Sequence, residues 1–389
     1  MAAGKAADGM LAALRDELET PWARALLVVP RPPASVAPPS TAVVVAGHPV
    51  PDGGSLDAGR RALEWARQLG PGQRLIVLLS GGASALLAAP SPPVRLEEKT
   101  LVTRLLLDAG APIHELNAVR KHLSSIKGGR LAASTRATVT TFALSDVVGP
   151  VEDDPSVIGS GPTVVDPSTY ADALAVVEGH DLRAAVPGSV IRCLERGARG
   201  EAPETPKRPE ELPGGSAWYL VGSRRAAMDA AAAAARRHGY EPVVVEEAVI
   251  GEARAAGPVL LSRARSLAAE GRGPWCVIAS GETTVHVAGG GTGGRNQELV
   301  LSTVTELDAM GGDIVVASVG TDGVDGPTDA AGAVADRTTL RRARAAGARE
   351  PGACLADNDA YAFFAAAGDL VTTGPTGTNV ADLQVILIT

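Results

Sequence analysis

The chain has 389 residues, room for about two domains at roughly 150 residues each. Hydrophobic residues make up 45% and charged ones 21%, the balance of a globular chain rather than a disordered one. The net charge of −8 argues against a basic nucleic-acid footprint, and 4 Trp, 4 Tyr and 3 Phe are too few for a base-stacking surface. No apolar run approaches the length of a membrane helix. Asp8, Arg15, Asp16 and Glu17 stand where a signal peptide needs an apolar core. Cys193, Cys276 and Cys354 are too far apart for a zinc or disulfide framework, and they fit a reducing cytoplasm. Only 5 of the 36 basic residues are lysines, which makes each lysine informative.

In chain order, 25–29, 42–46 and 75–79 read as buried strands, with helices over 55–69 and 96–109. A strand over 218–221, a helix over 224–238 and a strand over 242–245 follow. Segments 275–279, 314–319 and 383–388 read as further strands. This alternation predicts an α/β fold with a parallel, doubly wound sheet. The stretch 200–216, rich in proline and glutamate, reads as a linker. The expected division is a first domain over 1–205, a linker over 206–215 and a second domain over 216–389.

Six glycine-rich or polar loops stand mostly beside these strands. The first, Ser80-Gly81-Gly82-Ala83-Ser84, follows a strand and opens a helix. It suits an anion at a strand's carboxyl end, or it is a plain turn with Ser80 or Ser84 as cap. Leu86 stands where a nucleophile elbow needs glycine. Next, a helix from 114 places Asn117, Lys121 and Ser124 on one face with Arg120 alongside, and Lys127 and Gly128-Gly129 close it. The basic group could hold a carboxylate or phosphate, or be a solvated face. Asp146, Asp153 and Asp154, followed by Gly159-Ser160-Gly161, suit Mg²⁺ with phosphate oxygens, or form a loop of turn residues. Glycines from 289 to 294 lead into Arg295-Asn296-Gln297-Glu298, a place for a transferring phosphoryl group. Neither a P-loop nor a G-x-G-x-x-G after the first strand is present. Asp322, Asp325 and Asp329 lack EF-hand spacing, and Thr376 and Asn379 precede the last strand.

Taken together these segments, with Gly47-His48-Pro49-Val50-Pro51-Asp52, resemble the type II glycerate kinases, glycerate 2-kinases with a MOFRL region. The resemblance implies transfer of the γ-phosphoryl group of ATP, with Mg²⁺, to the 2-hydroxyl of D-glycerate. It also implies a Rossmann-like doubly wound N-terminal domain, a smaller α/β C-terminal domain and an active site in the cleft between them. Lys5 matches the family's Gly-Lys-Ala and Arg295 its Gly-Gly-Arg-Asn-Gln-Glu; both would neutralise phosphoryl charge. Asp146 matches its Ser-Asp, as metal ligand or hydroxyl orienter, with Asp154 as a second metal ligand. Gly293, Gly294, Asn296, Asp322, Thr376 and Asn379 would bind the nucleotide. Our own reading assigns Ser80, Gly81, Gly82, Ser84, Asn117, Arg120 and Lys121 to carboxylate or phosphate. The partner expected is a small-molecule substrate, with no nucleic acid and no membrane; a homodimer is compatible.

Two features depart from the family pattern. Residues 149–154 form a longer loop than the family's Gly-Asp-Asp, beside Asp146. The chain begins just ahead of Lys5, where the family has a helix and a strand, so an upstream extension is expected and Lys5 would otherwise sit on a frayed end. Rival readings are a hydroxypyruvate reductase, a kinase for another hydroxy acid and an inactive binding homologue.

Overall fold

The computed structural model describes residues 1–19, 22–33, 37, 40–269, 273–310 and 313–389. It separates into two compact units, 1–147 with 151–221, and 148–150 with 222–389.

The first unit is built on six strands: β1 (Ala2–Ala3), β2 (Ala25–Val29), β3 (Thr41–Val45), β4 (Arg74–Leu79), β5 (Thr138–Leu144) and β6 (Ala217–Gly222). Their order is β3-β2-β1-β4-β5-β6, and the pairs from β3 to β5 are parallel. This is the doubly wound arrangement of the dinucleotide-binding folds, whose order reverses between β1 and β4. Burial on both faces explains why β2 is apolar and buried at all five positions. The helix Gly53–Gln68 starts with a capping box between Asp52 and Ser55 and lays Ala58, Ala62, Leu63 and Ala66 on the sheet. A separate helical core gathers Leu106, Leu116, Leu123, Val190 and Leu194.

Strand β1 has only two residues, yet it is not frayed. Ala2 and Ala3 are fully buried between β2 and β4, and the Met1 α-amino group donates to Ile76 O at 2.8 Å. The helix Ala7–Glu17 then packs Ala7 and Leu11 on the same sheet. Lys5 therefore leaves an anchored backbone.

The unit boundary falls after Val221, not within 206–215. The reason is that β6 joins the first sheet next to β5, where Tyr219 stacks on Phe142 at 5.5 Å. The proline-rich stretch is not a free linker either: Asp166 N–H donates to Pro206 O at 2.9 Å.

The second unit contains β7 (Glu241–Val244), β8 (Val249–Glu252), β9 (Trp275–Thr284), β10 (Ile314–Gly320), β11 (Gly332–Asp336), β12 (Leu370–Val371) and β13 (Asp382–Ile388). The order is β12-β11-β10-β13-β9-β7, with β8 also on β9. The expectation of a parallel sheet fails here. Pairs from β12 to β9 are antiparallel, and only β7 and β8 run parallel to β9. In β10 and β13 buried and half-buried positions alternate, the pattern of a sheet whose two faces differ in burial. The unit remains α/β: its largest core packs Leu260, Leu261, Leu299, Phe363 and Phe364 on the sheet. No helix among the described residues is long and apolar enough to cross a membrane.

Candidate active site

Lys5 follows β1 and the 80–84 turn follows β4, so both stand where the strand order reverses. In open α/β sheets that crevice is where ligands bind. The two loops are tied together. Lys5 N–H donates to Gly81 O at 2.8 Å, Ser80 N–H to Ala3 O at 3.1 Å, and Ala6 N–H to Ser80 Oγ at 3.0 Å. Ser80 is almost fully buried, and its hydroxyl accepts a hydrogen bond from the backbone just after Lys5. Lys5 itself is exposed. Its charge reaches His48: burial and then the Lys5 ammonium hold the imidazole below its ordinary pKa.

Three segments far apart in sequence meet beside this turn. Lys127 Nζ donates to Ser84 O at 2.7 Å and Ser84 Oγ at 2.9 Å. Ser84 Oγ lies 2.8 Å from Ser160 Oγ, which donates to Asn117 Oδ1 at 3.2 Å. The helix Ile113–His122 thus delivers Asn117 and the helical turn Ile158–Ser160 delivers Ser160 to one polar chain. Lys127, 2% exposed, fixes the turn with a buried amino group. Burial, with Lys99 and Arg120 nearby, pushes its pKa well down. Asp146 is half-buried just beyond β5. Asp154 accepts Ser156 N–H at 2.8 Å, an Asx turn in the same loop.

Lys121 does not belong to this group. It is buried against Asp166, Nζ to Oδ1 at 3.1 Å, and Asp166 also accepts Ser168 and Thr205 hydroxyls. Arg120 and Lys121 are adjacent, yet the helix turns them to different sides: Arg120 lines the cavity beside the 80–84 turn, with Lys99 and Lys127. Lys99 was not among the expected site residues. The scarcity of lysine is the one sequence signal that points to it.

In the second unit, Arg295 opens the helix Arg295–Leu301. Its Nε donates to Asp382 Oδ2 at 2.6 Å, Nη2 to Asp382 Oδ1 at 3.0 Å and Nη1 to Glu282 Oε1 at 2.7 Å. Burial opposes its charge, but the Asp382 and Glu282 carboxylates outweigh it and push its pKa above the ordinary value. Gly281 of β9, Gly320 of β10 and Asp382 of β13 are register partners, so Arg295 stands at one end of three paired strands.

The N-terminus of this helix, expected to face a phosphoryl group, is already capped. Asp325 accepts Asn296 N–H at 3.1 Å, Gln297 N–H at 2.8 Å and Asn296 Nδ2 at 3.2 Å. A Cβ on Gly294 would lie 2.2 Å from the Asp325 carboxyl carbon, so glycine is needed for this approach. The glycine loop is also closed from within. Gly289 N–H donates to Asn358 Oδ1, and Gly290 N–H and Gly291 N–H donate to Asp357 oxygens. Gly293 lies against Ala360, and Asn296 is 1% exposed with Ser318 and Asp325 as partners. In this structure Gly293 and Gly294 take part in packing, and Asn296 is held by Asp325 and Ser318. Asp322 and Thr376 do meet: Thr376 N–H donates to Asp322 O at 3.3 Å, and Thr376 Oγ1 to Thr321 O. Asn379 is buried nearby in the chain, just before β13.

Asp325 makes this cap sensitive to pH. Burial raises its pKa to about 6 against the pull of the Gln297 and Asn296 N–H groups, with Asp382 adding repulsion. A carboxyl whose folded pKa lies above its unfolded one stabilises fully below the unfolded value and loses this as pH rises through the folded one. Wild type should therefore lose stability, relative to Asp325→Asn, between about pH 4 and pH 6. Urea midpoints of both proteins at pH 4.5 and 7 check this; a constant difference contradicts it.

The profile described as "Domain of unknown function (DUF4147)" matches residues 1–195, and that of the MOFRL family matches 275–382. A D-glycerate 2-kinase from Thermotoga maritima is 41% identical over 347 residues, covering 88% of this chain and 79% of that protein. A protein from Agrobacterium vitis that carries the provisional name of a hydroxypyruvate reductase is 41% identical, covering 99% of this chain and 98% of that protein. The crystal structure of a glycerate kinase from Thermotoga maritima superposes with a TM-score of 0.87 at 38% identity, covering all of this chain and 90% of that one. With sequence, profile and fold matched along nearly the whole chain, it belongs to the glycerate kinase family that joins a DUF4147 region to a MOFRL region.

Proposed function

We infer that the protein is an ATP-dependent glycerate kinase that phosphorylates D-glycerate at the 2-hydroxyl, giving 2-phosphoglycerate and ADP. The observation that carries this reading is Lys5, anchored with the 80–84 turn at the strand-order reversal of a fold matched to a glycerate kinase throughout. The substrate hydroxyl oxygen bonds to the γ-phosphorus, the β–γ bridging bond breaks to release ADP, and the hydroxyl proton leaves. Such transfer is mostly positioning and charge stabilisation, and needs little covalent chemistry from the protein. Lys5 would neutralise phosphoryl charge. Arg295, held by Asp382 and Glu282, would turn its remaining N–H donors to phosphoryl charge. Asp146 would orient the hydroxyl or hold Mg²⁺.

Among the described residues no group of three or more His, Cys, Asp or Glu gathers as a ready metal cage. Mg²⁺ needs only one or two carboxylates when phosphate oxygens complete its shell. Asp146 and Asp154, on one loop, fit that donor set. When bound, the cation would screen the phosphate charges.

A coupled ADP-release assay with D-glycerate, L-glycerate and other 2-hydroxy acids tests this reading, with the phosphate position fixed by phosphorus NMR. D-glycerate giving 2-phosphoglycerate is expected. 3-Phosphoglycerate as sole product, or no ATP turnover with any hydroxy acid, would overturn it. Parallel NADH oxidation with hydroxypyruvate is expected to stay at background, since no G-x-G-x-x-G follows β1.

A further inference from the structure

We propose that Lys99, Arg120 and Lys127 form a second anion-binding subsite in the first unit, distinct from Lys5, that takes a carboxylate or phosphate group. They line one cavity of about 480 Å³ beside the 80–84 turn, with His48 and Arg104 also on its wall and no aspartate or glutamate. Lys99 is 7% exposed, and its Nζ has no hydrogen-bond partner among the described residues. Lys127 Nζ donates only to neutral oxygens, those of Ser84 and Gly159. The Arg120 side chain meets no carboxylate among the described residues.

Folded proteins seldom keep buried charge without a partner, because desolvation is costly. Here three buried or half-buried basic side chains line one space that has no carboxylate on its wall. Their mutual effect is repulsive: Lys127 feels Lys99 and Arg120, and Lys99 feels Arg120 and Arg130. An arriving anion removes that repulsion and supplies Lys99 with its missing partner. Leu96, Leu107, Ala85 and Ala88 give the wall an apolar part beside the Thr100 and Thr103 hydroxyls, which suits the organic body behind a charged head.

Burial, then Arg120 and Arg130, brings the Lys99 pKa down to about 7. The groups that face it are all basic: Arg120 and Arg130, Lys127, Arg104 on its own helix, and His48 at the wall. Near neutrality Lys99 is divided between amine and ammonium, and an anion draws it to the ammonium. Affinity should therefore fall as pH rises above 7. The inference stands on this geometry and does not need the kinase reading.

Calorimetric titration of the full chain with sulfate, which does not titrate near neutrality, tests the subsite. Wild type is expected to bind sulfate at pH 6 and to lose about tenfold in affinity per pH unit above 7. Lys99→Met is expected to bind at least about tenfold more weakly and without that pH dependence. Its ligand-free melting temperature should equal or exceed that of wild type, because an unpartnered buried amine gives way to an apolar chain; this separates lost binding from misfolding. Displacement of sulfate by ADP assigns the subsite to a nucleotide phosphate, and displacement by D-glycerate assigns it to the substrate carboxylate. No sulfate binding by wild type, or equal binding with methionine at 99, overturns the proposal. Because sulfate binding is read without turnover, its failure is distinct from failure of the kinase assay.

Discussion

Arg295→Ala is expected to lower turnover about 100- to 1,000-fold, the usual loss when one preorganised donor to a developing charge is removed. The same change leaves Asp382, whose side chain is 1% exposed, without its bidentate partner. An uncompensated buried carboxylate costs about 3 kcal/mol or more. Both losses are measurable, one by coupled ADP release and the other by urea denaturation. The double variant Arg295→Ala with Asp382→Asn separates them: stability should largely return, while turnover should not. Arg295→Lys should recover only part of either, because an ammonium cannot reproduce the planar fork that spans both Asp382 oxygens. Unchanged turnover in Arg295→Ala would remove this residue from the reaction and leave it a structural ion pair.

Gly4→Ala is the second change with a large expected effect, although it touches no charged group. Gly4 has φ +133°, and a Cβ there would lie 2.1 Å from Ser80 Oγ and 2.7 Å from Ser80 O. Left-handed backbone and a clash with a buried main chain together should cost about 3 kcal/mol. The relief available is to part the Lys5 loop from the 80–84 turn, breaking the bonds from Lys5 N–H to Gly81 O and from Ala6 N–H to Ser80 Oγ. Displacing a positioned group by about 1 Å can cost 100-fold in rate. Lys5→Ala is the companion variant: it should lose comparable turnover with stability nearly unchanged, because the Lys5 side chain is exposed. Wild-type turnover in Gly4→Ala would show that Lys5 does not depend on this anchoring.

Much of the architecture was legible because strands buried on both faces are written as unbroken apolar runs. Residues 25–29 and 75–79 are such runs, and both are strands at nearly those bounds. The strand β5, Thr-Val-Thr-Thr-Phe-Ala-Leu, is weakly marked in the sequence: its buried positions alternate, and threonine dilutes the apolar signal. Strands β8, Val-Ile-Gly-Glu, and β11, Gly-Ala-Val-Ala-Asp, carry still less signal, being short and lacking any run of large apolar residues. β1 is recognisable only through its neighbours, since two alanines have no strand preference of their own. Parallel or antiparallel pairing in the second unit was likewise hidden, because apolar content reports burial but not the direction of a partner strand.

The sequence by itself determined the class, an α/β enzyme with a turn at 80–84, a lysine in a Gly-Lys-Ala segment near the start of the chain and an arginine after a glycine loop. It determined the family, since those segments stand in one order along nearly the whole chain. Only the tertiary structure decided which of these groups are open to a ligand. Lys121 is committed to Asp166, 45 residues away, while Lys99 and Lys127 share a cavity that no spacing rule connects. Asp325 fills the helix N-terminus that a glycine loop had seemed to leave open. The physical reason is the same in each case. Residue type and local period settle backbone conformation and which face is buried, but whether a charge is paired depends on which distant side chain the fold brings within about 3 Å.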